Sequence, residues 1–374
     1  MHTPGPLISR RRFLATLGAG TAACAWPRWG GALPTADASP HEAAFYEKED
    51  DGTVHCRLCP RGCRVREGQR GYCRVRENRA GKYYSLIYGR PCAMHLDPIE
   101  KKPFFHVYPG SQAYSIATVG CVLSCKFCQN WDISQAKPED VSVPYRSPES
   151  MAAAATRSGA RVMAYTYGEP IVFHEYMTDC ARAAQSLGLD NVMVSSGFIR
   201  EPALRALFPL MKAIKIDLKA FTQEFYEGVC GGALQPVLNT LSCLASAGVW
   251  YEIVVLIIPT LNDAPDEIKR LAAWVVKELG PDVPLHFSRF HPTYKMKNIP
   301  PTPLATLQRT RNLALGEGCR YVYIGNVPGA EGQDTVCPEC KAMLIRRYGY
   351  RILENNLQDG RCPACRQLIP GVWS

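Results

Sequence analysis

The sequence predicts an α/β fold: a partial (β/α)6-type TIM barrel with an N-terminal four-cysteine module and a C-terminal zinc-ribbon-like module. Two observations support this fold class. The middle of the chain alternates strand-like and helix-like segments, and a repeated βα order implies a parallel sheet. Eleven of the 17 cysteines fall into three tight clusters, two of which flank that region. With 374 residues and 47% hydrophobic content, the chain can bury one large core.

Seven segments rich in β-branched and aromatic residues predict the strands of the sheet. In chain order they are AYSIATVG, RVMAYTYG, NVMVSSG, AIKIDLKA, YEIVVLII, LHFSRF and YVYIGN. A closed barrel of this kind has eight strands, so seven predict an incomplete one. Functional residues should collect at the carboxyl ends of the strands.

Two of the intervening helices are well marked in the sequence. One starts with Ser147 as N-cap and Pro148 in the first turn, and it ends at Gly159. The other is PDEIKRLAAWVVKELG, which ends at Gly280. Its apolar face consists of Ile268, Leu271, Ala272, Val275 and Leu279.

The domain organisation follows from these elements. In residues 1–40, Ser9 is followed by three consecutive arginines, by Phe13 and Leu14, and then by an uncharged stretch that is too short to span a bilayer comfortably. This pattern resembles a twin-arginine export signal, and we expect no stable membrane span. We expect the N-terminal module over residues 41–105, the barrel over 106–330 and the C-terminal ribbon over 331–374.

The net charge does not indicate a nucleic-acid partner. Four arginines and one aspartate give the first 40 residues +3 of the formal net charge of +9. Lysines and arginines are otherwise spread along the chain, without a stripe of basic and aromatic residues. We therefore expect a solvated basic surface and no nucleic-acid partner.

The second cysteine cluster is GCVLSCKFCQN, which contains Cys121, Cys125 and Cys128. It follows the first predicted strand, so it lies on a loop at the carboxyl end of the sheet. An iron–sulfur cube has four irons and usually takes four thiolates, whereas this loop offers three. We therefore expect a [4Fe–4S] cluster in which one iron is left for a ligand other than cysteine.

This cysteine spacing, with Phe127 before the last cysteine, resembles the signature of the radical S-adenosylmethionine (SAM) superfamily. The resemblance implies that SAM binds the open iron through its amino and carboxylate groups. It also implies that an electron from the cluster cleaves SAM to methionine and a 5′-deoxyadenosyl radical, which abstracts a hydrogen atom from a substrate. Such an enzyme needs an electron donor such as a flavodoxin or ferredoxin. A zinc knuckle is the alternative interpretation of the three cysteines.

Two further motifs are similar to cofactor-binding motifs of the superfamily. TYGEP resembles a Gly-Gly-Glu-Pro motif that binds the methionine amino group, which assigns Gly168 and Glu169 to SAM. Tyr167 stands in place of the first glycine. After the third strand, Ser195 and Ser196 are candidate cofactor contacts. The pyruvate formate-lyase activating enzymes have an aspartate after this strand. This sequence lacks it, so a monovalent-cation site that uses that aspartate is in doubt.

Two motifs match that activating-enzyme branch more closely. IKIDLKA contains Asp217 and Lys219, and SRFHP contains His291. The match implies that these three residues contact SAM, whose carboxylate, amino and ribose groups can pair with an acid and a cation. Judged without the resemblance, Asp217 and Lys219 could form an ion pair at a strand end, and His291 could be a surface residue.

Five separated motifs resemble the AmmeMemoRadiSam group of radical enzymes, over residues from about 43 to the C-terminus. They are CRLCPRGCRVREGQRGYCRVREN, DPIEKKPFFHVYPGS, CKFCQNWDISQ, HFSRFHP and YVYIGNVPG. Enzymes of this group are encoded beside Memo-type and AMMECR-type proteins, which are therefore candidate partners. The resemblance does not name a substrate.

The outer cysteine clusters predict two further metal sites. CPEC and CPAC have the double-knuckle form of a zinc ribbon or rubredoxin-like site, and zinc is favoured over iron for Cys337, Cys340, Cys362 and Cys365. The N-terminal cluster could hold zinc or an auxiliary iron–sulfur cluster, with disulfides as the alternative. Its members are Cys56, Cys59, Cys63 and Cys73.

Six scattered cysteines are expected to be small buried residues: Cys24, Cys92, Cys180, Cys230, Cys243 and Cys319.

Two other functions fit parts of the sequence. A glycyl-radical-enzyme activating enzyme is favoured by Asp217, Lys219 and His291. A non-catalytic iron–sulfur electron carrier would need the cluster but no SAM cleft. Localisation stays open, because the signal-like segment favours export whereas SAM is made in the cytoplasm.

Overall fold

The computed structural model describes residues 40–374 of the chain. The segment that resembles an export signal, including Cys24, lies outside these residues. No helix in the described part is long and apolar enough to cross a membrane.

Two small antiparallel sheets form the N-terminal part of the described chain, with strand orders β1-β6-β5 and β2-β3-β4. Their strands are β1 (His41–Glu42), β2 (Tyr46–Lys48), β3 (Val54–Cys56), β4 (Arg64–Val65), β5 (Arg76–Arg79) and β6 (Lys82–Ser85). Cys56 ends β3, and the other three cysteines of this part lie in the loops between β3 and β5.

The central sheet has eight strands in sequential order. They are β7 (Ala93–Pro98), β8 (Gln112–Ala117), β9 (Val162–Tyr165), β10 (Asp190–Ser195), β11 (Ala213–Asp217), β12 (Trp250–Ile257), β13 (Leu285–Arg289) and β14 (Val322–Gly325). Strands β8 to β14 are parallel, and β7 pairs antiparallel with β8. The α/β fold with a parallel sheet and all seven predicted strands are confirmed.

Strand β7 is an addition that the sequence pattern does not indicate. Its middle residues Met94, His95 and Leu96 are all exposed, so it lacks the alternation of apolar and polar residues that marks a half-buried strand. It forms one edge of the sheet, and β14 forms the other.

Helices connect the seven parallel strands. They are α1 (Trp131–Ser134), α2 (Pro148–Arg157), α3 (His174–Ser186), α4 (Glu201–Arg205), α5 (Gln223–Phe225), α6 (Leu234–Ala245), α7 (Pro265–Trp274) and α8 (Leu304–Gly316). A π-helical segment continues α5 over Tyr226–Cys230 and another continues α7 over Val275–Leu279.

Both helices that the sequence marks are present. The Ser147 side chain accepts a hydrogen bond from the Ser150 amide, as expected of an N-cap, and Gly159 adopts a left-handed conformation just beyond the end of α2. In α7 and its extension the predicted apolar face is buried except at Leu279, which is half-buried in the wider π-helical turn.

The connection between β7 and β8, residues 99–111, packs against one face of the central sheet, and we call it the plug. Phe104 and Val107 of the plug are fully buried against small residues of the strands, such as Ala164. Polar side chains of the strands hold its backbone. Lys215 donates to the Pro103 carbonyl, and Glu252 accepts hydrogen bonds from the amides of Phe105 and His106.

The C-terminal part of the chain forms a third small sheet, in the order β15-β16-β17. Its strands are β15 (Thr335–Val336), β16 (Met343–Tyr348) and β17 (Arg351–Asn355). Arg347 of β16 donates to the plug carbonyl of Phe105 at 2.8 Å, and His106 bonds to the Pro370 carbonyl at 2.6 Å. The plug therefore joins the C-terminal part to the central sheet.

Candidate active site

A cleft of about 470 Å³ opens at the carboxyl ends of the parallel strands. Loops after β8, β9, β11 and β14 line it, together with the ends of β10 and β13 and residues of β12. Lys101, Lys102 and Pro103 of the plug also line it, and Tyr350 reaches it from the turn between β16 and β17. The cleft thus lies where functional residues of a parallel (β/α) fold are expected.

Cys121, Cys125 and Cys128 all line this cleft on the loop that follows β8. The loop is held in place by backbone hydrogen bonds from Ser124 and Lys126 to the segment 229–230. The Leu123 amide donates to the Cys121 sulfur at 3.4 Å, and the Cys128 sulfur lies 3.3 Å from the Ser134 hydroxyl. The loop therefore presents three sulfur atoms whose surroundings offer hydrogen-bond donors.

The three thiols would be neutral without a cation beside them. Burial raises the pKa of Cys121 well above its usual value, and the nearby Glu169 carboxylate raises it further. Burial also raises the pKa of Cys128. Thiolates at these positions need the positive charge of a metal centre, so the donor set fits an iron–sulfur cluster.

Cys230 contributes an unexpected neighbour to this loop. It is fully buried, as predicted, but it lies close enough to Cys125 to be the main cause of the raised pKa of Cys125. Cys180, Cys243 and Cys319 are buried away from the cleft, and Cys92 is half-buried. The spacing of Cys230 in the sequence gave no indication of this contact.

Glu169 is buried in the wall of the cleft and is held by two neighbouring serines. Its carboxylate accepts hydrogen bonds from the Ser195 hydroxyl at 2.7 Å, from the Ser196 amide at 2.9 Å and from the Ser196 hydroxyl. Burial raises the pKa of Glu169, and the serine hydrogen bonds oppose that rise. Both serines line the cleft, but their observed partner is Glu169, so direct contact with a cofactor stays a prediction.

Tyr167 has the backbone conformation that a glycine would adopt most easily. Its φ of 65° is left-handed, which costs of order 1–3 kcal/mol for a residue with a side chain. Contacts on both sides hold it: its carbonyl accepts from Asn130 at 2.8 Å, and its hydroxyl lies 3.0 Å from the Lys102 amine and donates to Asp97. The tyrosine therefore keeps the glycine-like turn while joining the plug to the cleft wall.

Lys102 is a buried cation at the base of the cleft. Its amine lies 2.6 Å from Asp97, which also pairs with Lys101 at 2.7 Å. Burial lowers the pKa of Lys102 to about 8, and Asp97 opposes that fall. The motif DPIEKKPFFHVYPGS contains both lysines but assigns them no role, because adjacent lysines are ordinary on a protein surface.

Asp217 and Lys219 form an ion pair at 2.5 Å on the wall of the cleft. Burial alone would lower the pKa of Lys219, but its interaction with the Asp217 carboxylate opposes that effect, and the pKa is raised. The lysine is therefore charged and close to the cysteine loop. Gly168 also lines the cleft.

His291 is the one predicted cofactor contact that the structure does not bring to the cleft. It is exposed, two residues beyond β13, and is not among the residues that line the cleft. Its proposed contact with a cofactor stays a prediction.

The C-terminal cysteines form a compact group. Cys337 and Cys365 have their sulfurs 3.6 Å apart, as do Cys340 and Cys362, and all four sulfurs lie within 4.8 Å of one another. The backbone amide of Cys365 lowers the pKa of Cys362 to about 7. The predicted four-cysteine cluster is confirmed as a group that could hold a metal ion; the identity of that metal stays a prediction.

The sequence profile of the radical SAM superfamily matches residues 115–275, which include the cysteine loop, Glu169 and the Asp217–Lys219 pair. An uncharacterised protein of Methanocaldococcus jannaschii is 46% identical over 332 residues, covering 88% of this chain and 98% of that protein. The chain belongs to the radical SAM superfamily.

Activating enzymes of this superfamily are also similar to the chain. The pyruvate formate-lyase 1-activating enzyme of Escherichia coli is 23% identical over 220 residues, covering 54% of this chain and 89% of that enzyme. A radical SAM methyltransferase structure from Sphaerobacter thermophilus has a TM-score of 0.47 and 16% identity, covering 60% of this chain and 71% of that one. The superfamily profile and the similarity to the Escherichia coli enzyme show that the protein is a radical SAM superfamily enzyme. Family membership implies a [4Fe–4S] cluster and SAM.

Proposed function

We propose that this radical SAM enzyme belongs to the AmmeMemoRadiSam group and binds its cluster through Cys121, Cys125 and Cys128. The observation that carries the proposal is that these cysteines and the Glu169 carboxylate line one cleft. The zinc-knuckle interpretation of the three cysteines has no such support, because a structural zinc site is closed and needs no cleft. The flanking motifs support the choice of group.

The cluster would supply the electron that cleaves the sulfonium carbon–sulfur bond of SAM and gives the 5′-deoxyadenosyl radical. The protein's part is to hold the reactants in a fixed geometry. Glu169, fixed by Ser195 and Ser196, accepts hydrogen bonds from the SAM amino group. Lys219 offers a cation for the SAM carboxylate, and Asp217 keeps that cation charged and directed.

The part of the cleft made by Lys101, Lys102, Asn326 and Tyr350 is proposed to hold the substrate. These residues lie outside residues 115–275, the segment that matches the superfamily profile. Residues that the shared chemistry requires fall inside that segment, so recognition of a particular substrate is expected outside it. Tyr350 lies between β16 and β17, and we expect the C-terminal cysteine site, proposed to hold zinc, to stabilise the small sheet that carries it.

A glycyl-radical-enzyme activating enzyme is the second candidate. It is favoured by the similarity to the Escherichia coli enzyme and by a 23% identity over 125 residues to a benzylsuccinate synthase activating enzyme of Thauera aromatica, covering 33% of this chain and 38% of that enzyme. In this case the substrate is a protein backbone. A flavodoxin or ferredoxin is the proposed electron donor in either case, whereas Memo-type and AMMECR-type proteins are proposed partners of the first candidate.

Hydrogen-isotope transfer tests the proposed function, and label supplied by the small-molecule fraction would contradict the second candidate. The reconstituted enzyme, SAM and a reductant are incubated with extract of fully deuterated cells, divided by size into proteins and small molecules. Deuterium in the 5′-deoxyadenosine produced shows hydrogen abstraction, and the fraction that supplies the label tells whether the substrate is a protein. Lack of any 5′-deoxyadenosine with either fraction would contradict the proposal.

A further inference from the structure

The N-terminal cysteines come together in the folded chain, although they are spread over 18 residues of sequence. The Cys56 amide donates to the Cys63 carbonyl at 2.9 Å, which places these two residues side by side. The amide of Tyr72, next to Cys73, donates to the Cys63 sulfur at 3.5 Å. All four cysteines are free of disulfides. These contacts bring Cys56, Cys63 and Cys73 together, and Cys59 lies on the turn between the first two.

The spacing of their sulfur atoms differs from that of the C-terminal group. Within residues 40–374, the C-terminal quartet is the only group of three or more Cys, His, Asp or Glu ligand atoms that all lie within 4.8 Å of one another. No three sulfurs of the N-terminal quartet meet this spacing, and neither do Cys121, Cys125 and Cys128.

This difference bears on what each group can bind. Four sulfurs on one zinc ion are about 3.8 Å apart, the edge of a tetrahedron with Zn–S bonds of about 2.3 Å. In a cluster each thiolate binds a different iron, so the sulfurs are farther apart. The N-terminal quartet resembles the cluster loop in this respect and not the C-terminal quartet.

A buried tyrosine hydroxyl without a hydrogen-bond partner lies near the Cys63 sulfur. Tyr83 is fully buried, and its hydroxyl has no hydrogen-bond partner. That hydroxyl lies 2.6 Å from where a Cβ at Gly71 would be, and the Cys63 sulfur lies 3.8 Å from the same point. Because Gly71 has no Cβ, the space between the Tyr83 hydroxyl and the Cys63 sulfur is free. A buried hydroxyl needs a partner, and a cluster sulfur beside Cys63 would be one.

We propose that Cys56, Cys59, Cys63 and Cys73 bind a second [4Fe–4S] cluster, to which the Tyr83 hydroxyl donates a hydrogen bond. Four thiolates occupy all four irons, so this cluster has no iron open to SAM. It can only store and pass single electrons. The site uses none of the residues assigned to SAM, so this proposal does not depend on the proposed function.

The proposed site touches the loop that carries Cys121. Arg61, between Cys59 and Cys63, donates to the Val122 carbonyl at 2.6 Å and to the Gly231 carbonyl. A Cβ at Gly120 would come within 3.0 Å of the Cys73 carbonyl, so only glycine fits this contact. The module is therefore built against the radical-cluster loop.

The test uses the full chain, reconstituted anaerobically with iron and sulfide, and counts iron, acid-labile sulfide and zinc. We expect about eight sulfides in the wild type, because each [4Fe–4S] cluster contributes four. The variant with Cys121, Cys125 and Cys128 all changed to Ala should keep about four, and adding Cys56→Ser and Cys73→Ser should remove them. Sulfide is the deciding count, because a single iron or zinc ion brings none.

Two results would overturn the proposal. One is four sulfides in the wild type with two zinc ions per chain; the other is loss of all sulfide in the triple-alanine variant. A Tyr83→Phe variant, with Tyr84→Phe as control, tests the hydrogen bond. Loss of a donor to a cluster sulfur should shift the reduced EPR signal and lower the midpoint potential of this cluster alone. Unchanged spectra and potential in Tyr83→Phe would contradict the placement of the cluster beside Tyr83.

Discussion

Single residues of the cleft owe their chemistry to neighbours that the sequence separates widely. The Glu169 carboxylate is fixed by Ser195 and Ser196, which lie 26 and 27 positions later. The turn before it depends on the Tyr167 hydroxyl, whose partner Asp97 lies 70 positions earlier. The motif TYGEP predicted Glu169 as a site residue, but a motif cannot tell what fixes its carboxylate.

The first prediction concerns Glu169→Gln. The change keeps the shape of the side chain and removes its charge, and a charged hydrogen bond contributes roughly 1.5–3 kcal/mol. We expect about ten- to hundredfold weaker SAM binding by calorimetry on the reconstituted protein, with unchanged iron content and slower formation of 5′-deoxyadenosine.

Glu227→Gln is the matched control, because Glu227 is an exposed glutamate outside the cleft. Equal SAM affinity in Glu169→Gln and wild type would remove Glu169 from the binding site.

Secondary-structure elements were predicted well where one physical pattern dominates. Strands β8 to β14 are rich in β-branched and aromatic residues and mostly buried, as expected of the parallel strands of an α/β fold. The plug could not be predicted, because it depends on isolated polar residues of different strands, Lys215 and Glu252, that meet only in the folded sheet. Strand β7 was missed for a related reason: its pairing partner, not its own pattern, makes it a strand.

The second prediction concerns His106 of the plug. This fully buried imidazole bonds to the Pro370 carbonyl through Nδ1, which must therefore carry the proton, and accepts from the Tyr323 hydroxyl at Nε2. Burial lowers its pKa to about 4. Between pH 6.5 and about 4 the unfolded chain binds a proton that the folded chain does not. The free energy of unfolding should therefore decrease as the pH is lowered across this range. His106 should account for roughly 3 kcal/mol of this decrease.

Urea unfolding at pH 7 and pH 4.5 measures this effect, with His106→Gln for comparison. The variant should be less stable at pH 7 but lose less stability on acidification than the wild type. Identical pH dependence in both proteins would show that His106 does not titrate in this way.

The third prediction concerns the C-terminal sheet. Cys337→Ser together with Cys365→Ser should remove one metal ion and increase hydrogen exchange over residues 331–374, because two remaining thiolates cannot close a tetrahedral site. The iron–sulfur absorbance should be largely retained, since the sites share no ligand. Disappearance of all iron with these two cysteines would show that the cysteines have been grouped wrongly.

At the scale of the whole molecule, the sequence indicates which cysteines form a group, but it does not give the distances between their sulfur atoms. The C-terminal quartet was grouped correctly, because two CxxC turns are typical of a four-thiolate metal site. The choice of metal for the N-terminal quartet stayed open, because sulfur separation and the free Tyr83 hydroxyl are properties of the folded chain. The proximity of Cys230 to Cys125 could likewise not be predicted, because it arises only when the segment 229–230 packs against the cysteine loop.

The central claim is that the cleft at the strand ends cleaves SAM through a cluster held by three cysteines. The most direct measurement is the amount of 5′-deoxyadenosine formed from SAM by the anaerobically reconstituted, dithionite-reduced protein. We expect formation by the wild type and by the control Cys243→Ala, whose cysteine lies in α6 away from the cleft. Cys125→Ala should form none, because two thiolates cannot hold the cluster. Formation by Cys125→Ala at the wild-type rate would contradict the account.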